Sequence, residues 1–177
     1  HYLYGDNKLY TIYITDVYSQ EIVGYGAYDS NQADNYAEVM HRAIRKAKSA
    51  KQSLEGLIHH SDGGKQYEST LYKTICKDNK IRQSMCMYSY ENPYAEKTND
   101  LINNGYLNCW KPKKLQDVRK MQIDAIRDHN LNSKKKRLGR RSPVDFKRLM
   151  LQSVDNRVHW LQLKPVNPEQ PRNKRLT

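Results

Sequence analysis

Two carboxylates, Asp62 and Glu96, occupy the positions in this sequence that are best suited to chemistry. Asp62 follows a short apolar run at 56–58 and precedes two glycines, so it is predicted to end a strand, where α/β sheets hold their ligands. Glu96 follows Asn92 and Pro93, which are typical of a helix start, and is therefore predicted to lie in the first turn of a helix. Because the two acids stand on different rigid elements, they can share one divalent cation.

The order of the predicted elements around this pair is typical of an α/β domain. A first strand leads through a turn into two further strands, which together make an antiparallel meander. Helices then alternate with two later strands, so we predict a mixed five-stranded sheet flanked by helices. The predicted strands lie at 1–4, 9–16, 20–28, up to 62 and at 80–85, and the predicted helices at 33–49, 68–77, from 93, at 115–129 and at 143–152, with a loop at 88–91.

The net charge of +12 is concentrated in the last third of the chain. Residues 111–177 hold 19 Lys and Arg against 6 acids, whereas residues 1–110 hold 12 against 13. A neutral core with a basic face or tail is typical of a protein that binds a polyanion. The alternative is a basic surface that serves only solubility.

Composition limits the class of protein further. A chain of 177 residues suits one domain, and 14 tyrosines against one phenylalanine mean that many buried rings need partners for their hydroxyls. Three cysteines, none at C-x-x-C spacing, argue against a disulfide framework and a structural zinc site. Because no run approaches 18 apolar residues and no signal-peptide pattern is present, we expect a soluble protein of the cytoplasm with no membrane partner.

Four ordered motifs closely resemble the integrase core of bacterial insertion-sequence transposases, the orfB-like group that is related to retroviral integrases. These motifs are DVYSQEIVG at 16–24, HHSDGGKQY at 59–67, SMC at 84–86 and NPYAE at 92–96. A further segment, LGRRSPVDF at 138–146, is similar to the segment that closes that family's core. The resemblance covers roughly residues 1–150 and implies a ribonuclease-H-like fold.

The resemblance also implies an active site of three carboxylates, Asp-Asp-Glu, that binds two Mg²⁺ or Mn²⁺ ions. Asp62 matches the second acid and Glu96 the third. The family's first acid lies on the first strand, and the resemblance places it just before His1, so strand 1 is expected to be incomplete. The implied activity is phosphodiester cleavage and strand transfer on DNA, and we expect the 177-residue chain by itself to be inactive.

Other acids in the first third of the chain are weaker candidates for the missing ligand. Asp16 closes the second predicted strand, which runs antiparallel to the first, so its end should lie away from the edge that carries Asp62. A hydrogen bond that holds the turn after that strand is the expected role of Asp16. Asp6 is predicted to lie at the tip of a hairpin.

The neighbours of the two acids have structural roles in our interpretation. His59 and His60 should point to opposite faces of their strand, and imidazole is a poor ligand for Mg²⁺, so neither is expected to bind the metal. One of the two should be buried and hydrogen-bonded. Lys65, after a glycine turn, can approach a DNA phosphate. Asn92 is expected to cap the helix of Glu96 and so to orient this metal ligand. Relatives often carry a DNA-contacting Lys about two turns after the glutamate, where this chain has Asn103.

The basic region is expected to contact DNA phosphates in a salt-sensitive manner that does not depend on sequence. The partners implied are transposon-end and target DNA, bound by a homo-oligomer. The candidate DNA-binding residues are Lys65, Lys113, Lys114, Lys134, Lys135, Lys136, Arg137, Arg140 and Arg141.

These expectations divide the chain into three parts. The catalytic core is placed at 1–110, the helices and basic loop that close it at 111–152, and a poorly ordered tail without apolar periodicity at 153–177. The alternative to an enzyme is a non-catalytic DNA-binding remnant of a decayed insertion element, suggested by Asn103 and by the acid missing from strand 1.

Overall fold

The structure, a computed structural model, describes residues 2–4, 7–86 and 92–152. The loop predicted at 88–91 and the tail predicted at 153–177 lie outside the described residues. No helix within the described ranges is both long and apolar enough to cross a membrane.

The first three strands form one antiparallel sheet, as the sequence predicts. The strand bounds, in spatial order, are β1 (Tyr2–Tyr4), β2 (Asn7–Thr15) and β3 (Ile22–Tyr28). The pairing of β2 with β3 runs from Tyr10 opposite Tyr28 to Thr15 opposite Ile22. The predicted meander is therefore confirmed.

A second sheet consists of the two strands β4 (Ile58–Ser61) and β5 (Arg82–Met85), which pair in parallel with Ile58 opposite Arg82. Asp62 follows β4 directly, as predicted. Among the described residues the strands pair only within these two sheets. A single five-stranded sheet therefore stays a prediction.

One face of the meander is covered by α1 (Ala33–Ser49), which has the bounds that its apolar spacing predicts. The helix lies close to β3 at Gly24, where an added Cβ would be 2.8 Å from the carbonyl oxygen of Val39. The predicted helix at 68–77 corresponds to α3 (Thr70–Asp78), which is capped by Ser69, whose hydroxyl accepts a hydrogen bond from the backbone N–H of Tyr72 at 3.2 Å. A short helix that was not predicted, α2 (Lys65–Glu68), precedes it.

A long helical segment packs against the face of β2 opposite to α1. This segment consists of α4 (Pro93–Ile102), a π-helical turn (Asn103–Leu107) and α5 (Asn108–Trp110). Its contact with β2 is partly polar, since the hydroxyl groups of Thr15 and Thr98 are 3.1 Å apart. Thr98 also donates to the carbonyl of Tyr94 at 2.9 Å, which holds its side chain in place.

The helix α6 (Leu115–Asn132) packs against β3, and polar side chains of the helix form hydrogen bonds with the backbone of that strand. The side chain of Asn130 accepts from the N–H of Ile22 at 2.9 Å and donates to the same residue's carbonyl at 3.0 Å. Its apolar face joins the main core, which contains Leu9, Ile22, Ala27, Ile102, Leu107, Val118, Ala125 and Ile126. The division of the chain at residue 110 stays a prediction.

The last described helix is α7 (Pro143–Gln152), which follows a 3₁₀ turn (Lys136–Leu138). The hydroxyl of Ser142 accepts from the N–H of Asp145 at 3.2 Å and donates to its carboxylate at 2.8 Å. This reciprocal cap confirms the helix start that the sequence predicts at Ser142 and Pro143.

The turn between β2 and β3 contacts three helices, α1, α6 and α7. Glu21 in this turn is buried, and its carboxylate pairs with Lys46 of α1 at 2.6 Å and with Lys147 of α7 at 2.8 Å. Burial opposes ionisation of Glu21, but the hydrogen bonds from Lys147 and Lys46 outweigh it and lower its pKa. The imidazole of His129 on α6 hydrogen-bonds the carbonyl of Gln20 in the same turn at 3.0 Å.

We predict that Glu21→Ala lowers the free energy of unfolding by about 2–3 kcal/mol, because it leaves two lysines without their buried partner. Urea denaturation of the two proteins measures the difference. The matched control is Glu55→Ala, which removes an exposed pair with Lys80 and should cost less than about 0.5 kcal/mol. Equal costs for the two substitutions would contradict the prediction.

Candidate active site

The first candidate ligand, Asp62, lies at the carboxyl end of β4 with its side chain exposed. One carboxylate oxygen accepts a hydrogen bond from the N–H of Gly64 at 3.2 Å, which makes a local turn and orients the side chain. Gly63 lies beside the end of β5, since a Cβ there would be 3.4 Å from the carbonyl oxygen of Cys86. The glycines thus turn the chain sharply away from the strand and leave the carboxylate at the sheet edge.

A cluster of aromatic rings lies behind Asp62. Tyr67 contacts Tyr36 and Tyr72 edge-to-face, with ring centroids 5.2 and 5.3 Å apart. Burial, with a smaller contribution from the carboxylate of Asp62, raises the pKa of Tyr36 to about 12. Burial also raises the pKa of Tyr67, and the charge of Asp62 adds to this rise. The two tyrosine hydroxyls are therefore neutral near Asp62, and neither supplies a negatively charged ligand at neutral pH.

The two histidines before Asp62 lie on opposite faces of β4, as predicted. His59 faces inward, and its Nε2 is 2.9 Å from the hydroxyl of Tyr72. Burial, together with the charge of His60, lowers the pKa of His59 to about 4. His60 is exposed and its Nδ1 is 3.1 Å from the hydroxyl of Ser84. The inner histidine is thus neutral and engaged within the fold.

The second candidate ligand, Glu96, lies in the first turn of α4. The side chain of Asn92 accepts a hydrogen bond from the N–H of Ala95 at 3.4 Å, so the predicted cap is confirmed. The carboxylate of Glu96 is exposed and has no hydrogen-bond or ion-pair partner within the described part of the chain. It lines a shallow groove with Pro93, Lys97 and Asp100.

Asp100 is a groove residue that the sequence reasoning missed. It stands four residues after Glu96, so the two carboxylates lie on the same face of α4. Its carboxylate accepts a hydrogen bond from the side chain of Asn104 at 2.6 Å. The four-residue spacing of Glu96 and Asp100 in the sequence could have placed Asp100 beside Glu96.

The chemistry of the donor set suits a hard divalent cation. Asp62 and Glu96 present exposed carboxylates, and no described cation forms an ion pair with either of them. Carboxylate oxygens are the ligands that Mg²⁺ and Mn²⁺ prefer. Within residues 2–4, 7–86 and 92–152, no group of three or more His, Cys, Asp or Glu side chains is placed to hold one ion. The described chain therefore offers suitable ligands without a complete three-ligand cluster.

Asp16 is engaged in the turn after β2, as the sequence analysis expects. Its two carboxylate oxygens accept hydrogen bonds from the N–H of Tyr18 at 3.0 Å and from the hydroxyl of Ser19 at 2.8 Å. Lys147 lies 4.0 Å from the same carboxylate. These contacts confirm its role in holding the turn.

Asn103, two turns after Glu96, faces the sheet and is buried. Its side-chain oxygen accepts hydrogen bonds from the hydroxyls of Thr11 at 3.2 Å and Tyr13 at 3.0 Å, both on β2. The π-helical turn begins at this residue. Asn103 therefore attaches α4 to β2 and does not face the groove that Glu96 lines.

Most of the predicted DNA-binding residues come together in a basic loop, residues 133–141, which lies against the start of α4. The guanidinium of Arg137 stacks on the ring of Tyr94, 5.5 Å from its centroid, and also donates a hydrogen bond to its hydroxyl. The backbone of the loop is closed by an antiparallel bridge between Lys135 and Arg141. Burial, together with the charge of Lys97, lowers the pKa of the half-buried Lys135.

The remaining predicted DNA contacts occupy other places. In the basic loop, Lys134, Lys136, Arg140 and Arg141 are exposed. Lys113 and Lys114 are exposed in the segment before α6, and Lys65 is exposed at the start of α2. Lys65 lines a separate shallow groove with Asn31, Ala33 and Gln66.

Comparison with known proteins identifies the family. The family model for the integrase core domain matches residues 1–88 of this sequence, a stretch that includes β1 to β5 and Asp62. The chain belongs to the integrase core family. An uncharacterized 31 kDa protein of insertion element IS600 from Shigella sonnei is 29% identical over 146 residues, which cover 78% of this chain and 51% of that protein. The transposase of insertion sequence IS629 from the same species is 25% identical over 150 residues, covering 84% and 49%.

This integrase core spans about half the length of those two relatives. Among solved structures, the HTLV-2 integrase catalytic core domain in complex with magnesium has a TM-score of 0.62 at 16% identity, covering 82% of this chain and 89% of that one. At this identity the likeness shows the fold alone. The α/β fold is therefore that of retroviral integrase cores, which confirms the ribonuclease-H-like fold expected from the sequence.

We predict that the free energy of unfolding falls as the pH drops from about 7 to 4, because His59 is held neutral by burial. Its pKa lies below the ordinary value, so the unfolded chain binds more protons between pH 6.5 and about 4, and stability is lost on acidification. His59→Gln should reduce this slope by up to about 1.4 kcal/mol per pH unit. Urea denaturation across the range measures it, with the exposed His41→Gln as control. An unchanged slope in His59→Gln would disprove the assignment.

We predict that Asn103→Leu lowers the free energy of unfolding by about 2–3 kcal/mol, because it removes the acceptor of two hydroxyls that face the core. The neighbouring Asn104→Leu changes an exposed side chain and should cost less than about 0.5 kcal/mol. Chemical denaturation of the two variants measures their free energies of unfolding. Equal stability of the Asn103 variant and the unmodified chain would show that these hydrogen bonds do not anchor α4.

Proposed function

We propose that this integrase core is the catalytic domain of an insertion-sequence transposase, which cleaves DNA and joins the freed end to target DNA with Mg²⁺ or Mn²⁺. The observation that carries the proposal is the placement of two exposed carboxylates, Asp62 after β4 and Glu96 in the first turn of α4, in a chain of this family. Neither acid is neutralised by an ion pair among the described residues.

Each part of the candidate site has a role in this proposal. Asp62 and Glu96 would hold the metal, which activates the attacking oxygen and stabilises the leaving oxygen when it is bound. The N–H of Gly64 orients Asp62, and Asn92 holds the first turn of α4 so that Glu96 is presented in one direction. Lys65, Lys113, Lys114 and the basic loop supply phosphate contacts.

The proposed reaction has two phosphoryl transfers. In the first, water attacks the phosphorus at the transposon end, the bond from phosphorus to the 3′ oxygen breaks, and a 3′-hydroxyl is released. In the second, that hydroxyl attacks a phosphodiester of target DNA, a new bond to phosphorus forms, and a 3′-hydroxyl of the target leaves. Neither transfer needs an oxidant or a nucleotide cofactor, because each exchanges one oxygen on phosphorus for another.

A third carboxylate completes the site in this proposal. Both oxygens of Asp16 are hydrogen-bonded in its turn, which argues against its recruitment. We therefore propose little activity for the 177-residue chain by itself, and activity for a version extended at its N-terminus by a segment that supplies a third acid before β1. The same proposal includes a single mixed five-stranded sheet.

The proposed partners are transposon-end and target DNA in the bacterial cytoplasm. We infer that a homo-oligomer binds them, since joining two ends to one target requires two sites held together. The HTLV-2 core was solved in a trimeric form, which is a property of that protein and supports the inference only by analogy.

The test is a strand-transfer assay with Mg²⁺ or Mn²⁺, run on the extended protein and on its variants. Asp62→Asn and Glu96→Gln keep the shape of the side chains and should lower the rate by about a hundredfold or more, because each removes a charge that would bind the metal. Asp78→Asn, which changes an exposed acid at the end of α3, should leave the rate unchanged.

Full activity in either carboxylate variant would refute the assignment of these residues. An extended protein that binds DNA but joins no ends with either metal would favour the alternative of a non-catalytic DNA-binding remnant.

A further inference from the structure

Trp110, the last residue of α5, has an exposed ring, although tryptophan is usually well buried. Its exposed fraction is 41%. The ring is nevertheless held in place, since Tyr106 contacts it edge-to-face with the ring centroids 5.5 Å apart. The hydroxyl of Tyr106 in turn donates a hydrogen bond to the carboxylate of Asp128 on α6 at 2.7 Å. Trp110 therefore offers a fixed aromatic surface to the solvent.

The chain turns sharply after Trp110 and exposes several lysines. Lys111 has a left-handed backbone conformation, with φ of 49° and ψ of 58°, and its N–H donates to the carbonyl of Leu107 at 2.9 Å. Pro112 is fully buried and anchors the turn. Three lysines of the turn are exposed, namely Lys111, Lys113 and Lys114. We call Trp110 together with these three lysines the Trp110 surface.

The charge of the Trp110 surface is not balanced by acids. Within the described ranges, none of its three lysines forms an ion pair. The carboxylate of Asp117 accepts a hydrogen bond from the backbone N–H of Lys113 at 3.2 Å, which closes the turn. Lysine is depleted in interfaces between proteins, so a tryptophan among three lysines is poorly suited to a protein partner. It is well suited to a polyanion that carries flat aromatic groups, as single-stranded nucleic acid does.

We propose that the Trp110 surface binds single-stranded DNA, with one unpaired base stacked on Trp110 and the adjacent phosphates at the three lysines. The required ligand is unpaired, because a base inside a duplex is already stacked on both faces. We expect no strong sequence preference, since every base has a flat aromatic face.

This binding site goes beyond the proposed function, in which Lys113 and Lys114 contact phosphates and Trp110 has no role. It is also separate from the candidate metal ligands. Trp110 stands 14 residues after Glu96 along one helical segment, so the two are about 20 Å apart at the usual helical rise. Binding at the Trp110 surface therefore needs neither the metal nor catalysis.

The experiment uses the full 177-residue chain with Trp160→Phe, which leaves Trp110 as its single tryptophan. Binding is measured in EDTA at low salt, by quenching of Trp110 fluorescence and by fluorescence anisotropy of labelled DNA. The probes are an oligothymidylate of about eight nucleotides and an abasic strand of the same length, which has the phosphates without the bases. We expect the oligothymidylate to quench Trp110 and to bind about five- to a hundredfold more tightly than the abasic strand. This comparison needs no substitution at Trp110, so it does not depend on how a variant folds.

Variants of the Trp110 surface separate stacking from charge, with anisotropy as the measurement. Trp110→Ala should weaken oligothymidylate binding about five- to a hundredfold and leave abasic binding unchanged, whereas Trp110→Phe keeps a ring and should lose less. Replacing all three lysines by glutamine should weaken both strands. It should also lower the slope of log affinity against log salt by about two, because each phosphate contact contributes about 0.7. Ile123→Ala, which truncates an exposed apolar side chain on α6, is the matched control and should change neither strand.

A blunt duplex and the same duplex with a single-stranded overhang test the need for unpaired bases. We expect the overhang to quench Trp110 and the blunt duplex to leave its fluorescence unchanged, although both supply phosphates to the lysines. Equal quenching by the two duplexes would show that the surface does not select unpaired DNA and would overturn the inference.

Other outcomes would overturn it as well. Equal binding of the oligothymidylate and abasic strands without quenching would show that no base stacks on Trp110, and so would unchanged oligothymidylate binding in Trp110→Ala. A shift of Trp110 emission on phosphatidylglycerol vesicles, with no response to the oligothymidylate, would assign the surface to a membrane instead. None of these results bears on the proposed function, because the buffer contains no metal and strand transfer is not measured.

Discussion

The structure depends on one buried ion-paired carboxylate, Glu21, in the turn between β2 and β3. Its two partners come from α1 and from α7, which are far apart in the chain. The same turn accepts a hydrogen bond from His129 of α6 through the carbonyl of Gln20. A buried carboxylate without partners would be unstable, so the turn can be buried only when all these helices are in place. The N-terminal sheet and the C-terminal helices are therefore held together at this point.

The C-terminal helices that pack at Glu21 also position the basic loop near the start of α4. The basic loop lies between α6 and α7, so its position follows from the docking of both helices. In that position Arg137 contacts Tyr94, two residues before Glu96. The basic loop and the start of α4 are consequently in contact, although about 40 residues separate them in sequence. In the proposed function, the basic loop would contact the DNA phosphates and the carboxylates would hold the metal.

Much of the fold was predictable because local chemistry decides it. The bounds of α1 follow from its apolar spacing, and the starts of α4 and α7 follow from cap residues whose side chains bond the first turn. The short helix α2 was missed, since Ser69 separates it from α3 and it has no buried residue that would give it an apolar pattern. The contacts of Asn103 were not predictable either, because they join residues 90 and 92 positions apart. No local pattern distinguishes a buried asparagine from an exposed one.

The sequence by itself determined the family, the strand and helix that present Asp62 and Glu96, and the concentration of positive charge in the last third of the chain. These features depend on residue type and short spacing, which act before any tertiary contact forms. Only the tertiary structure decided that Arg137 of the basic loop contacts Tyr94 of α4, and that Asn103 faces β2. The physical reason is that each of these depends on packing between distant elements, and burial and long-range hydrogen bonds select the partner only once those elements meet.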